Sequence, residues 1–314
     1  MTWLITGGAG YIGSHVVHAA QQSGYELVVV DNLSNGNAQR LPSNIPLLRA
    51  NIGDESVRSF MQQHKVDGIV HLAAMKSVGE SHTIPIQYWN SNVSQMIQFL
   101  EFAQQCSVSK FVFSSSAAVY GQPNVDMISE SQSLSPINNY GRTKVAGELL
   151  LDSIAESYWL SSVSLRYFNV AGALNSELRD TQLQNLIPIV VDKLRRNLPI
   201  DIFGSDFPTQ DGTCVRDYVH VVDIAEAHVS AMKYVSSSAR SNEKFNLGTG
   251  SGTSVLEVVS AVAAAFGGAP TLEYREGRVG DPARLVAEVS SAAEKLGWKA
   301  KYGIQQIAKS SLCE

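Results

Sequence analysis

Short, nearly uninterrupted apolar runs alternate with longer stretches of mixed polarity through the first half of the chain. TWLIT (2–6), ELVVVD (26–31), IPLLRANI (45–52), VDGIVHLAA (66–74), KFVFSSS (110–116) and SSVSLRYFNV (161–170) read as strands covered on both faces. Helices are expected between them, over about 12–23, 54–64, 85–105 and 139–158. Such alternation predicts an α/β fold, a doubly wound parallel sheet of the Rossmann type whose ligand lies at the carboxyl ends of the strands. Beyond about residue 171 the rhythm loosens into loops rich in Asn, Asp and aromatic residues. The expected division is therefore 1–170 for a dinucleotide and 171–314 for a smaller mixed α/β substrate domain, the chain returning to the first around 215–235. SSSARSN (236–242) reads as an exposed polar loop.

The turn after the first strand, LITGGAGYIG (4–13), spaces Gly7, Gly10 and Gly13 as G-x-x-G-x-x-G between a strand and a helix. In that context the glycines allow a tight turn, close approach of backbone to a pyrophosphate and close helix–strand packing. Tyr11 and Ile12 lie within the turn. Asp31 ends the second strand, where a carboxylate accepts hydrogen bonds from an adenosine ribose and repels a 2′-phosphate; Asn32 follows it. NAD is the expected dinucleotide, with NADP the alternative.

In NNYGRTKVAGE (138–148), Tyr140 and Lys144 stand four apart, on one face of a helix. A lysine ammonium beside a phenol favours the phenolate, so the pair predicts a base usable near neutral pH. Ser116, in FSSSAAVYG, falls at a strand's carboxyl edge and completes a Ser/Tyr/Lys set. His71 is read as a partly buried polar residue rather than a catalyst, and Tyr120 as a packing or orienting one.

Composition narrows the class further. The 314 residues are 44% hydrophobic and 17% charged with a net charge of −5, and no basic stripe suits nucleic acid. Cys106, Cys214 and Cys313 have no metal-ligand or disulfide spacing, which fits a reducing compartment. The opening MTWLITGGAG lacks a basic segment followed by an apolar core, and no apolar run reaches about 18 residues. A cytoplasmic protein with neither metal nor membrane span is expected.

The Ser/Tyr/Lys set resembles that of the extended short-chain dehydrogenase/reductases. TGGAGYIGSH, VVVDNLSNG, HLAAMKSVGES, FSSSAAVYG, YGRTKVAGE, LRYFNVAGA, NLIPIV, IFGSDFPTQDGTCVRDYVHVVD and FNLGTG, in that order, are similar to the UDP-glucose 4-epimerase family from residue 2 to about 300. The resemblance implies that Tyr140 removes the proton of a sugar 4-hydroxyl, with Ser116 assisting and Lys144 tuning Tyr140 and holding the nicotinamide ribose, so that Tyr140 and Lys144 also contact the cofactor. Dehydratases of the same superfamily carry a threonine and an Asp-Glu pair where this chain has Ser116-Ala117-Ala118, so epimerisation is favoured. It also implies cofactor contacts at Asn51, Ile52, Lys76 and Tyr167. Lys76, Asn92, Phe168, Asn169, Asn185, Phe203, Arg216, Arg278 and Asp281 are implied as substrate contacts, and Leu285 as a wall that gates N-acetylated sugars. Ala118 and Asn51 depart from the commoner threonine and aspartate. Leucine at 285 leaves UDP-GlcNAc and UDP-GalNAc open, with plain hexoses favoured. The family further implies a homodimer through helices at about 90–105 and 142–158, although Met96, Phe99, Leu100, Leu149 and Leu150 would serve equally against the protein's own sheet. A non-catalytic NAD-binding protein would have no need of Ser116, Tyr140 and Lys144 together.

Overall fold

The computed structural model describes residues 1–157, 159–237, 241–278 and 281–313. Strands β1 (Thr2–Thr6), β2 (Glu26–Val30), β3 (Leu47–Leu48), β4 (Val66–His71), β5 (Lys110–Ser114) and β6 (Ser161–Tyr167) come first. The chain then leaves through β7 (Asn169–Ala171), β8 (Ile200–Phe203) and β9 (Val215–His220), and returns with β10 (Asn242–Leu247). A parallel seven-stranded sheet results, in the order β10-β6-β5-β4-β1-β2-β3. Winding outward from β1 to β3 and crossing back to β4 makes β1/β4 the switch point, where a crevice opens at the carboxyl ends.

Side chains alternate across this sheet. Trp3 and Ile5 of β1 join Val16, Val17, Val70, Val112, Ile224 and Met232 on one face. Leu4 joins Met61, Ile69, Met96, Phe99, Phe111 and Phe113 on the other. Helices Tyr11–Gln22 and Val221–Ser237 cover the first face, and Glu55–Gln63, Gln95–Gln105 and Asn139–Glu156 the second. Truncating a buried ring such as Phe99 to alanine would cost about 3–5 kcal/mol.

β11 (Gly252–Ser254), β12 (Leu272–Arg275) and β13 (Arg284–Leu285) build the smaller part. β9 pairs with β7, β11 and β13, and β12 with β8, over a separate core that includes Ile187, Val190, Ile202, Tyr218 and Val262.

Four expectations change. IPLLRANI gives only Leu47–Leu48, because this half-buried edge pairs with β2 only at Val29 and Val30. The run 161–170 splits at Phe168, where the chain passes from β6 to β7 and joins a different sheet. The helix at 85–105 comprises Pro85–Trp89, a π-helical turn at Asn90–Ser94, and Gln95–Gln105, preceded by a short helix at Val78–Thr83. The expected loop at 236–242 is helix up to Ser237 and strand from Asn242; its residues 238–240, like Tyr158 at the end of the 139–158 helix, lie outside the described residues. No helix among the described residues is long and apolar enough to cross a membrane.

His71 is buried more completely than the partial burial expected from the sequence, with Nδ1 on the Thr6 hydroxyl (2.7 Å). Burial lowers His71 to about 3, and His15, His220 and His228 to about 4. The unfolded chain therefore binds more protons below pH about 6.5, so stability present above that pH is lost as pH falls toward 4. Each ring contributes a loss of about 1.4 kcal/mol per pH unit in that window. The melting temperature should drop between pH about 7 and about 5.5; an unchanged value would contradict neutral burial of these rings.

Candidate active site

The turn after β1 has no room for a side chain at Gly7 or Gly13. A Cβ on Gly13 would lie 2.0 Å from the Gly7 carbonyl oxygen, and Gly7 itself has φ +69°. The helix starting at Tyr11 has no side-chain cap at Gly10 and no acid in its first turn, leaving its N–H groups and partial positive charge for an anion. Asp31, 7% exposed, accepts from Ala9 N (3.0 Å) and Leu33 N (2.8 Å), which holds its carboxylate over the turn. Asn32 donates to Asn51 Oδ1 (2.9 Å) beside the buried Ile52.

At the carboxyl ends of β5 and β6 a cavity of about 830 Å³ opens, lined by Tyr11, Ile12, Lys76, Ser116, Tyr140 and Tyr167 on the large-sheet side. Phe168, Asn169, Asn185, Arg216, Asp281 and Leu285 line the opposite side. Arg216 and Leu285 are register partners of β9 and β13. The Arg216 Nη1 donates to the carbonyls of Val215 (2.9 Å) and Pro282 (2.7 Å), and Nη2 lies 3.8 Å from Asp281. The helix Leu186–Arg195 also starts at the cavity with no side-chain cap, since Asn185 donates instead to Asp180 (3.1 Å). Two open helix starts thus face one cavity.

Ser116 caps the turn at Ala117–Val119, accepting from Ala118 N (3.2 Å), so its own proton is free for a partner. Burial pushes the Tyr140 phenol up to about 12, and the Ser116 hydroxyl lowers it against that. Burial pushes Lys144 down to about 7, and Glu148 raises it. Lys144 Nζ donates to the Ser114 carbonyl (2.8 Å) and stands 5.8 Å from the centre of the Tyr140 ring. Desolvation outweighs the expected lowering of Tyr140 by Lys144, because an amine held at about 7 is already neutral where a phenol at about 12 titrates.

Other residues depart from their expected places. Asn92 does not line the cavity: its amide accepts from Met75 N (2.8 Å) and donates to Met75 O (2.9 Å) and Thr143 (3.0 Å). The π-helical turn rotates it inward, and it holds the segment leading to Lys76. Phe203 and Arg278 stack on one another at 4.1 Å and lie outside the cavity lining. Lys144 lies behind Tyr140, and Gly7, Gly10, Gly13, Asp31, Asn32, Asn51 and Ile52 belong to the glycine turn and its flank rather than to the cavity wall. Met96, Phe99 and Leu100 pack on the chain's own sheet, whereas Leu149 is 58% exposed. Arg179, Asp180, Thr181 and Tyr218 also line the cavity and were not singled out from sequence; the charged run before QNLIP was the available signal for the first three.

A doubly wound sheet with a glycine turn at its switch point defines a dinucleotide-binding enzyme fold. The chain belongs to the NAD dependent epimerase/dehydratase family, which residues 3–248 match. It is 40% identical to the UDP-glucose 4-epimerase of Bacillus subtilis, over 99% of this chain and 96% of that one. A solved UDP-glucose 4-epimerase from Stenotrophomonas maltophila, with bound NAD and formylated UDP-arabinopyranose, is 39% identical with a TM-score of 0.95, covering 99% of this chain and 97% of that one. The UDP-Glc/GlcNAc 4-epimerase of Campylobacter jejuni is 35% identical with a TM-score of 0.88, covering 99% and 98%.

NAD is the cofactor, and the glycine turn fits it: a side chain there would fill the pyrophosphate cradle, and Asp31 is placed for the ribose. Gly13→Ala should reduce NAD affinity at least tenfold, because strand and helix must part to admit the methyl group. Calorimetric titration of the purified variant checks this, and wild-type affinity would remove Gly13 from the cradle.

Proposed function

We propose that this chain catalyses NAD-dependent epimerisation at C4 of a UDP-hexose, interconverting UDP-glucose and UDP-galactose. One observation carries the reading. The cavity runs between two uncapped helix starts, each suited to a diphosphate, with Ser116 and Tyr140 on its wall. Residues 1–170 are assigned to NAD and 171–314 to the UDP-sugar, with the helix Val221–Ser237 and β10 returning to the large sheet.

NAD supplies the acceptor for the C4 hydride and its donor on return. Tyr140 takes the proton of the sugar 4-hydroxyl and gives it back to the same oxygen when hydride returns to the opposite face of C4, while Ser116 bonds that oxygen. Lys144 places positive charge behind Tyr140. Arg216, with its planar fork near Asp281, is assigned to the UDP diphosphate. Ala117 and Ala118 offer no acid to expel water, so the 4-keto sugar survives to be reduced. Leu285 is assigned as the wall that favours sugars without an N-acetyl group; the rate on UDP-GalNAc relative to UDP-galactose tests it.

The protein is also read as a cytoplasmic homodimer. Three free cysteines fit a reducing compartment, and Ile97 (44% exposed) and Leu149 (58%) leave apolar surface on the two helices named for pairing. A monomeric mass by light scattering would refute the dimer.

Purified protein given UDP-galactose without added NAD should form UDP-glucose at a steady rate, read by chromatography of the sugar nucleotides. No product even with NAD supplied would overturn the reaction. Tyr140→Phe should keep NAD content while turnover falls roughly 10²–10⁴-fold; near-normal turnover would remove Tyr140 from the role of base.

A further inference from the structure

Glu148 and Arg166 take no part in the chemistry above, yet lie directly beneath it. Glu148 is 1% and Arg166 3% exposed. Arg166 grips the carboxylate through Nε to Oε1 (3.0 Å) and Nη2 to Oε2 (2.5 Å). The Ser115 hydroxyl donates to Glu148 Oε1 at 2.5 Å. Ser115 sits between Ser116, on the cavity wall, and Ser114, whose carbonyl takes the Lys144 ammonium. Tyr140, Lys144 and Glu148 follow one another at intervals of four on the same helix, so one face carries all three.

We propose that Glu148 is a positioning residue for the reaction: through Ser115 it fixes the serine turn, and it sets a carboxylate one helical turn beyond Lys144, on the helix face that carries Tyr140. The proposal rests on the reading given under Proposed function. Lys144 is faced by Tyr140 and Glu148 on its own helix, by the Ser114 carbonyl and the Phe113 ring (4.8 Å) of β5, and by His71 of β4. Behind Ser114 stand Tyr167 of β6 and His228 of the Val221–Ser237 helix. Among these described groups Glu148 is the only carboxylate. Burial drives Lys144 toward its neutral form and Glu148 opposes it.

Glu148→Gln alone leaves Arg166 charged and unpaired in the core, which is strongly destabilising. The working variant is therefore Glu148→Gln with Arg166→Met, alongside Ser115→Ala. Two readouts are taken, the pH profile of kcat and the titration of the Lys144 Cε resonance in 13C-lysine protein, assigned with Lys144→Arg. In the double variant, the alkaline loss of kcat and the Lys144 midpoint should both move down by about one pH unit with KM little changed. Ser115→Ala should keep the midpoint and lose about tenfold in kcat. A double variant with wild-type profile and midpoint would make the pair a structural strut and overturn the proposal, as would wild-type kcat in Ser115→Ala for the serine turn. Failure of the underlying reaction looks different: the wild-type protein then shows no turnover while its Lys144 midpoint is still measurable.

Discussion

Burying Arg166 against Glu148 takes two full charges out of water at a cost of several kcal/mol per ion. Such a pair persists only where every remaining donor and acceptor is met. Here Arg166 also bonds Tyr120 and the Glu130 carbonyl, Tyr120 donates to Asn246 (2.6 Å), and Asn246 donates to Ile128 O (2.7 Å). Glu130 in turn accepts from Asn246 N (2.8 Å). This network ties the end of β5, the Asn139–Glu156 helix, β6 and β10 into one unit. Asn246 brings the returning strand β10 into this network, so the serine turn is braced by chain from beyond residue 241.

The same dryness shapes the reacting groups. A phenol at about 12 and an amine at about 7 are both displaced toward their neutral forms, because each would be charged in a desolvated site. Tyr140 therefore needs positive charge beside it to serve as a base near neutral pH. Ser116 contributes to the same balance, since among the described groups it is the one that lowers the phenol.

The large-sheet strands and the glycine turn were legible because their signals are local. Continuous apolar runs mark strands covered on both faces, and a steric rule at Gly7 and Gly13 marks the turn. Tyr140 and Lys144 were legible by helical spacing, once the turn gave them a context. The partnership of Glu148 with Arg166 was not, since it joins a helix to a strand and depends on packing. Nor was the inward turn of Asn92, which arises from one π-helical turn inside an otherwise regular pattern. The apolar residues Met96, Phe99 and Leu100 satisfy a helix face whichever surface covers it, and only the packed structure shows them on the chain's own sheet. Arg179, Asp180 and Thr181 lie in a loop without periodicity, where sequence offers charge but no direction.

The proposed reaction asks opposite things of the two ends of its substrate. The nucleotide end must be held firmly enough that an oxidised sugar does not escape, whereas the sugar must turn to present its other face. An uncapped helix start at Leu186 and a forked guanidinium at Arg216 suit the first demand. The second is met by what the opposite wall lacks: Ala117 and Ala118 are small, and a cavity of about 830 Å³ leaves room around a single pyranose. Stereochemical inversion on this reading comes from one fixed proton-transfer group and a substrate anchored at a distance. The selectivity of the site then lies in where it grips and in how little it touches near the reacting carbon.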